Sequence, residues 1–583
     1  MFQKYSNIIV GCLLVAVIYA SNAWLHYSID LTAEKRYSLS DATKKLLDKK
    51  LDSTITIEVF LTGDLPADYK KLNIATAEIL ETFASNAAGP IRVSFTEPGT
   101  NIVDEDAKVK YFDSLSAMGV VFERTAITES IEKSSSQLIV PSALVRYGDR
   151  PPVAVDLRSS QKVFTSYNVI EAVEPKEDKE ATRNAAEALL EYKFAAAIDK
   201  ATKNSYPTIA YLVGNGQPTD LTVSDLGETL RNDYNLGVFD LKLGYPSAAK
   251  IDLLLIVKPT MPFTEEDQLK IDQYVLNGGK VIWFVDKLHA ELDSLMRTQA
   301  GYTAYDRGLN IDPLLFKYGV RINGDLVQDL NCAKLPIVVG KNPDGSPTMQ
   351  RIPWPYYPFL YGNENNPISQ NIDRVLPIYP SSIDTLPNSE IKKTILLTTD
   401  TNSRTITTPH LIAFNSLKEK PDYLSFNQNH IPVAVLLEGR FTSLFANRLS
   451  SGLSDSLQNT GSVFVSKGNA SAKQIVVADA DLFTNATEQD GQGNLQPLPM
   501  GMLPFDRYQF ANRNFYLNSI AYLNDPDGLL ESRNKILVLR LLDRDKLENA
   551  KLIWQIVLVL GPLLLLTCFY FLWNSIRKSK FTT

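Results

Sequence analysis

Four polar clusters follow apolar runs in this chain: Gly214-Asn215-Gly216-Gln217 after TIAYLV, Lys258-Pro259-Thr260 after IDLLLIV, Asp286 after VIWFV, and Asp479 with Asp481 after IVVA. Amides and carboxylates gathered at strand ends would line a crevice able to hydrogen-bond a polar ligand. Gly214, Asn215, Gly216, Gln217, Thr260, Asp286, Asp479 and Asp481 are therefore the candidate ligand-binding residues. The competing reading is structural, because glycine turns and exposed aspartates terminate strands in most proteins. Asp479 and Asp481 could act as the paired carboxylates of a glycosidase, but Asp-x-Asp after a strand is common.

Other reaction classes find less support. Gly214-Asn215-Gly216 lacks the third glycine of a dinucleotide fingerprint, and Pro218 follows closely. No GxxxxGK[ST] phosphate loop occurs anywhere, which excludes nucleotide hydrolysis by that route. Cys332 lies in Asn331-Cys332-Ala333-Lys334, with no glycine beside it to permit the strained turn that presents a nucleophile. Three soluble histidines, His289, His410 and His430, together with the membrane-proximal His26, have no metal-ligand spacing. No catalytic residue, metal or cofactor is expected.

A different kind of site is offered by Arg351-Ile352-Pro353-Trp354-Pro355-Tyr356-Tyr357-Pro358-Phe359-Leu360-Tyr361. Prolines at this density argue against a helix or a central strand, which predicts aromatics displayed from an extended loop. Trp354, Tyr356, Tyr357, Phe359 and Tyr361 would then form a partner- or sugar-contacting surface. The alternative is a loop clamped onto its own sheet.

The elements that must position these residues differ between two regions. In the first, Ser38 and Asp41 have capping-box spacing and predict a helix to about Lys50. Ile55, Ile57, Val59 and Leu61 then alternate as in a half-buried strand. A helix striped by Leu72, Ile79, Leu80 and Phe83 follows, and Ile91, Val93 and Phe95 give a second strand. This β-α-β crossover, with strand-rich sequence from Gly119 to Val155, predicts a small α/β domain of thioredoxin-like kind over residues 30–170. It has no C-x-x-C, so it would be a scaffold without redox chemistry. An Ala-rich helix links it, over residues 171–204, to the second region.

There the strands are continuous apolar runs, as in a parallel sheet covered on both faces. Between them lie a stripe of Leu226, Leu230 and Tyr234, and a helix capped by Thr264 that stops at Asn277-Gly278-Gly279. Further strands are expected at Thr394–Thr399 and Pro432–Leu437, and an amphipathic helix from Asn512 to Leu523 closes the region. Strand and helix in alternation predict a doubly wound α/β domain over residues 205–528, whose ligands would bind at the carboxyl ends of its strands.

Both ends are apolar. Leu552–Trp573 has no charge, carries Trp554, Tyr570 and Trp573 at its margins, and is followed by Arg577, Lys578 and Lys580. Ile8–Trp24 is a shorter uncharged run preceded by Lys4. Two transmembrane anchors, over 1–29 and within 529–583, would leave both termini cytoplasmic and residues 27–551 periplasmic, in a two-pass protein of the cell inner membrane. Arg540, Arg544, Lys546 and Lys551 on the outer side of the second anchor run against this orientation, although the charge rule weakens beside a long translocated domain. Ser21-Asn22-Ala23 leaves open a cleaved signal peptide, whereas only three apolar residues precede Cys12, too few for a lipoprotein box. With a net charge of -7 and no basic stripe, nucleic acid is excluded as a partner. Of the three cysteines only Cys332 lies between the apolar ends, so the soluble part cannot form an internal disulfide.

RYSLSDATKKLL, VFLTGDLP, LEYKFAAAI, VADADLF and NRNFYLNSIAYL, in that order between two apolar ends, resemble the gliding-motility-associated ABC-transporter auxiliary family GldG, nearly end to end. The resemblance implies an auxiliary or substrate-binding subunit of an inner-membrane ABC transporter, partnered by a GldF-like permease and, through it, a GldA-like ATPase. It also implies that the second domain is related to class I glutamine amidotransferases without their nucleophile. The alternative is a doubly anchored extracytoplasmic hydrolase or amidotransferase-like enzyme.

Overall fold

The computed structural model describes residues 38–49, 53–130, 133–159, 179–203, 205–231, 233–291, 301–343, 345–414, 422–459, 463–468, 472–525, 527–534 and 544–581. The expected first anchor, Ile8–Trp24, lies outside them. The chain divides into a unit ending at Lys535 and a second unit from Ile536 to Thr583.

In the first unit α1 (Asp41–Leu47) is capped by Ser40, whose Oγ accepts from the Thr43 amide at 3.3 Å. The cap falls two residues beyond Ser38, because Leu39 is buried and Glu191 holds the Ser40 amide at 2.7 Å. Next come β1 (Ile55–Val59), α2 (Ala67–Asn86), β2 (Ile91–Phe95), α3 (Glu105–Ala117), β3 (Ser142–Tyr147) and β4 (Val153–Asp156). The sheet order is β2-β1-β3-β4, with β1 parallel to β2 and antiparallel to β3. Ile55, Ile57 and Val59 point into one core with Leu72, Leu80 and Phe83 of α2, as their spacing predicts. The long helix α4 (Lys179–Thr202) closes that core with Leu190, Phe194 and Ile198.

The larger sheet contains β5 (Thr208–Val213), β6 (Asn235–Asp240), β7 (Leu253–Val257), β8 (Lys280–Phe284), β11 (Tyr361–Gly362), β12 (Ile391–Thr398), β13 (Pro432–Gly439) and β14 (Ala472–Val477). β9 (Cys332–Lys341) and β10 (Pro347–Pro358) form a separate hairpin. The eight-stranded order is β11-β12-β13-β14-β8-β7-β5-β6. Strands β14, β8, β7, β5 and β6 run parallel, and β11 to β13 extend the sheet antiparallel at one edge.

Successive strand residues alternate between two cores. Ile209, Leu253, Leu255, Ile282 and Ile475 meet α5 (Ser224–Arg231) and α8 (Asn512–Leu523) on one face. Leu212, Leu254, Ile256, Trp283 and Val476 meet α6 (Glu265–Leu276) and α7 (Asp312–Tyr318) on the other. Both faces are dry, which is why these strands read as unbroken apolar runs. α6 begins in a reciprocal capping box between Thr264 and Asp267, an arrangement worth about 1 kcal/mol.

The second unit is described from Arg544, where α9 (Arg544–Phe581) begins. Its Gln555–Lys578 stretch of 24 residues is long and apolar enough to cross a membrane, and its side chains are exposed.

Candidate functional site

At the carboxyl end of the parallel strands the sequence-predicted residues separate into two groups. The first is the loop after β5. Gly216 has φ +75°, and a Cβ there would lie 2.1 Å from Thr260 Oγ1, so only glycine fits. Thr260 Oγ1 donates to the Gly216 carbonyl at 2.9 Å, and the amides of Thr260 and Met261 both donate to the Asn215 carbonyl at 3.0 Å. Asn215 Nδ2 donates to the Pro262 carbonyl at 3.1 Å and to Asp267 Oδ2 at 3.3 Å, while the Gln217 side chain accepts from the Asn215 amide at 2.8 Å. Gly214, at φ +113°, starts the same turn. Most of this loop's hydrogen bonding is therefore spent joining the ends of β5 and β7 to the start of α6.

The second group is ionic. Lys258, directly after β7 and at φ +46°, sends its Nζ between Asp481 Oδ1 and Asp286 Oδ2, the latter at 3.3 Å. Asp286 Oδ1 accepts from the Ala480 amide at 2.5 Å, and Asp479 accepts from the amides of Leu482 at 2.8 Å and Ile378 at 2.6 Å. Burial pushes the Asp286 and Asp479 carboxyls up, and the neighbouring carboxylates push Asp479 further, so Asp479 is the one that holds a proton most readily. Burial alone would lower the Lys258 pKa, but Asp481 and Asp286 outweigh it and keep the ammonium charged. A lysine in the left-handed region is strained, and here the strain aims its side chain along the strand ends. The sequence marks Lys258 only as a residue after a strand; its pairing with carboxylates from β8 and β14 follows from strand order, which periodicity does not encode.

The aromatic segment is a correction. Instead of an extended loop it is β10, in a two-stranded hairpin with β9, where its prolines face no central-sheet neighbour. Trp354, Tyr356 and Tyr357 are buried, so they are not displayed for a partner. Their rings pack on one another and on Tyr379 at centroid distances of 5.0 to 5.6 Å. Phe359 is half-buried beneath Arg374 at 4.6 Å, and the half-buried Tyr361 accepts from Asn331 Nδ2 at 2.6 Å. The adjacent Tyr356 and Tyr357 are both buried, so strand alternation does not set the outcome; packing into the surrounding core removes far more apolar area from water than display would. Burial, with Tyr379 and the Asp481 carboxylate adding to it, pushes the Tyr357 phenol well up.

Cys332 is buried at the start of β9, its Sγ 3.6 Å from the Leu330 carbonyl. Burial, aided by Asp329, pushes its thiol up to about 12, so it is not a thiolate near neutral pH. His289 stacks on Tyr305, His410 Nε2 meets the Tyr356 hydroxyl at 2.9 Å, and His430 Nδ1 lies 3.3 Å from the Thr399 carbonyl. Among the described residues no group of His, Cys, Asp and Glu is arranged to hold a metal ion. An open groove of about 760 Å³ is lined by Lys287, Asp312, Phe316, Lys317, Arg321 and Leu444 among others, none of them foreseen and none of them part of the ionic group.

Residues 206–519, more than half of the chain and nearly all of the larger α/β region, match the family described as an ABC-type uncharacterized transport system. The chain belongs to this family. Residues 33–146 match a domain of unknown function, DUF7088. No curated protein matches the chain. Among solved structures it is similar to the mmIFT52 N-terminal domain, at 13% identity over 55% of this chain and 98% of that one with a TM-score of 0.30. It is also similar to the exo-beta-1,4-mannosidase Op5Man5 from Opitutaceae bacterium strain TAV5, at 9% identity over 51% of this chain and 35% of that one with a TM-score of 0.21. Both scores are too low to carry function across. As a member of the transport-system family, the chain has a transporter-associated role, and α9 makes membrane association plausible.

Proposed function

We propose that the protein is a non-enzymatic auxiliary or substrate-binding subunit of an inner-membrane ABC transporter serving gliding motility. The family match over residues 206–519 carries this reading, and α9 supports it by supplying an apolar helix through which the subunit joins a membrane assembly. A GldF-like permease and, through it, a GldA-like ATPase are the proposed partners. In the proposed topology both termini are cytoplasmic and residues 27–551 are periplasmic. The unit formed by β1 to β4 is proposed as thioredoxin-like, and the larger sheet as a relative of class I glutamine amidotransferases without their chemistry.

The ionic group fits recognition better than reaction. Its lysine is consumed by two carboxylates, its most buried carboxyl is held by two backbone amides, and the one soluble cysteine is protonated near neutral pH. We place the candidate ligand surface at Asp286, Asp481 and Lys258, with Gly214, Asn215, Gly216, Gln217 and Thr260 shaping its rim and Asp479 supporting it from within.

The test is purification of the detergent-solubilised full-length protein. A permease and an ATPase should copurify, and replacing residues 552–573 by an unrelated apolar span should release the permease. Recovery of the protein alone under conditions that keep other transporter complexes intact would overturn the assignment. A reporter active only outside the cytoplasm, fused near Gly301, tests the topology separately and should be active.

A further inference from the structure

Leu529 and Leu530 are neighbours in sequence but are buried in different cores. Leu529 packs into the core of β1, α2 and α4, while Leu530 packs into the core beneath α8 and the larger sheet. Both belong to a single 3-10 turn, Leu529–Asn534. Lys49, just after α1, pairs with Asp527 just ahead of the turn at 3.0 Å, and the Leu530 amide donates to Asp525 Oδ2 at 2.8 Å.

Arg533, in the same turn, is buried, and no carboxylate pairs with it among the described residues. Its Nη1 donates to Asn518 Oδ1 of α8 at 2.6 Å, its Nη2 donates to the Gln370 carbonyl at 3.3 Å, and its guanidinium lies 5.2 Å from the Tyr192 ring of α4. Neutral acceptors repay the desolvation of a guanidinium less fully than a carboxylate would. The turn is thus drawn in by two leucines and opposed by one buried charge.

We propose that Leu529–Asn534 is a reversible clasp between the two α/β regions, seated by Leu529 and Leu530 and kept releasable by Arg533. Opening it lifts one side chain out of each core at once, and α1 loses its Asp527 tie with it. This rests on the packing alone and does not depend on the transporter assignment.

Amide hydrogen exchange on the full-length protein in detergent tests the proposal. Leu529→Ala and Leu530→Ala should each speed exchange, on the order of tenfold or more, in residues 529–533 and in α1 together, with β7, β8 and β14 unchanged. Arg533→Met, which keeps the bulk and removes the charge, should slow exchange in the same segments. Faster exchange in Arg533→Met would overturn the proposal, because the guanidinium would then be a net tie. So would a loosening in the leucine variants that stays within the turn or spreads to the central strands.

Discussion

Lys258 and Asp481, 223 residues apart, form a half-buried ion pair that ties the end of β7 to the loop after β14. Strand β8 lies between them in the sheet and contributes Asp286 to the same ammonium. Lys258→Met should leave two carboxylates without their cation in a half-buried site; removing one partner of a fully buried pair costs about 3–5 kcal/mol, so a loss near or below the lower end of that range is expected. Urea denaturation of the full-length protein at pH 7 measures the loss. It should shrink as the pH falls and Asp286, whose carboxyl burial already pushes up, takes up a proton; a pH-independent loss would mean that packing, not charge, is what the lysine supplies.

Lys193 gives a second pH signature. It is half-buried on α4, where its Nζ donates to the carbonyls of Asp156 at 2.6 Å and of Arg158, and desolvation lowers its pKa from 10.5 to about 8. Below about 8 both folded and unfolded states carry the charge. Between about 8 and 10.5 the folded state has released a proton that the unfolded state keeps, so stability rises with pH through this window, by up to about 3 kcal/mol. Lys193→Met should abolish that rise, and the gap between variant and wild type should change over this window and be flat below pH 7.

Cys332→Ala should preserve every transport or binding activity and cost about 1 kcal/mol or slightly more, the transfer and cavity cost of a small buried side chain. Full activity with a modest drop in melting temperature is the expected result. Lost activity in a protein that melts normally would revive thiol chemistry.

Trp354→Ala separates a core role from a surface role. The indole is fully buried against Tyr356 and Phe414, so truncation should cost about 3–5 kcal/mol and lower the yield of folded protein. A surface aromatic would change stability by about 0.5 kcal/mol or less. A folded, normally stable variant that had lost only a binding partner would contradict the packing described above.

Local rules gave a good account of the elements. Ile55, Ile57 and Val59 alternate because one face of β1 is buried, and the runs at 208–213, 253–257, 280–284 and 472–477 are continuous because their sheet is covered twice. Thr264 with Asp267 announces the start of α6, and the apolar text around Leu552–Trp573 announces α9, since composition alone decides whether a helix suits a bilayer. What the sequence could not set was pairing between distant segments. Strand order brought Lys258, Asp286 and Asp481 together, because a lysine's partners depend on which strands lie side by side and not on its neighbours in the chain. The direction faced by Trp354 and Tyr357 depended on a core that β10 shares with Tyr302, Tyr379 and Ile412, so an aromatic run legible as a display became a wall. The seating of Leu529 and Leu530 in two cores was equally hidden, since the sequence shows two adjacent leucines and only tertiary packing assigns each to its own side of the seam.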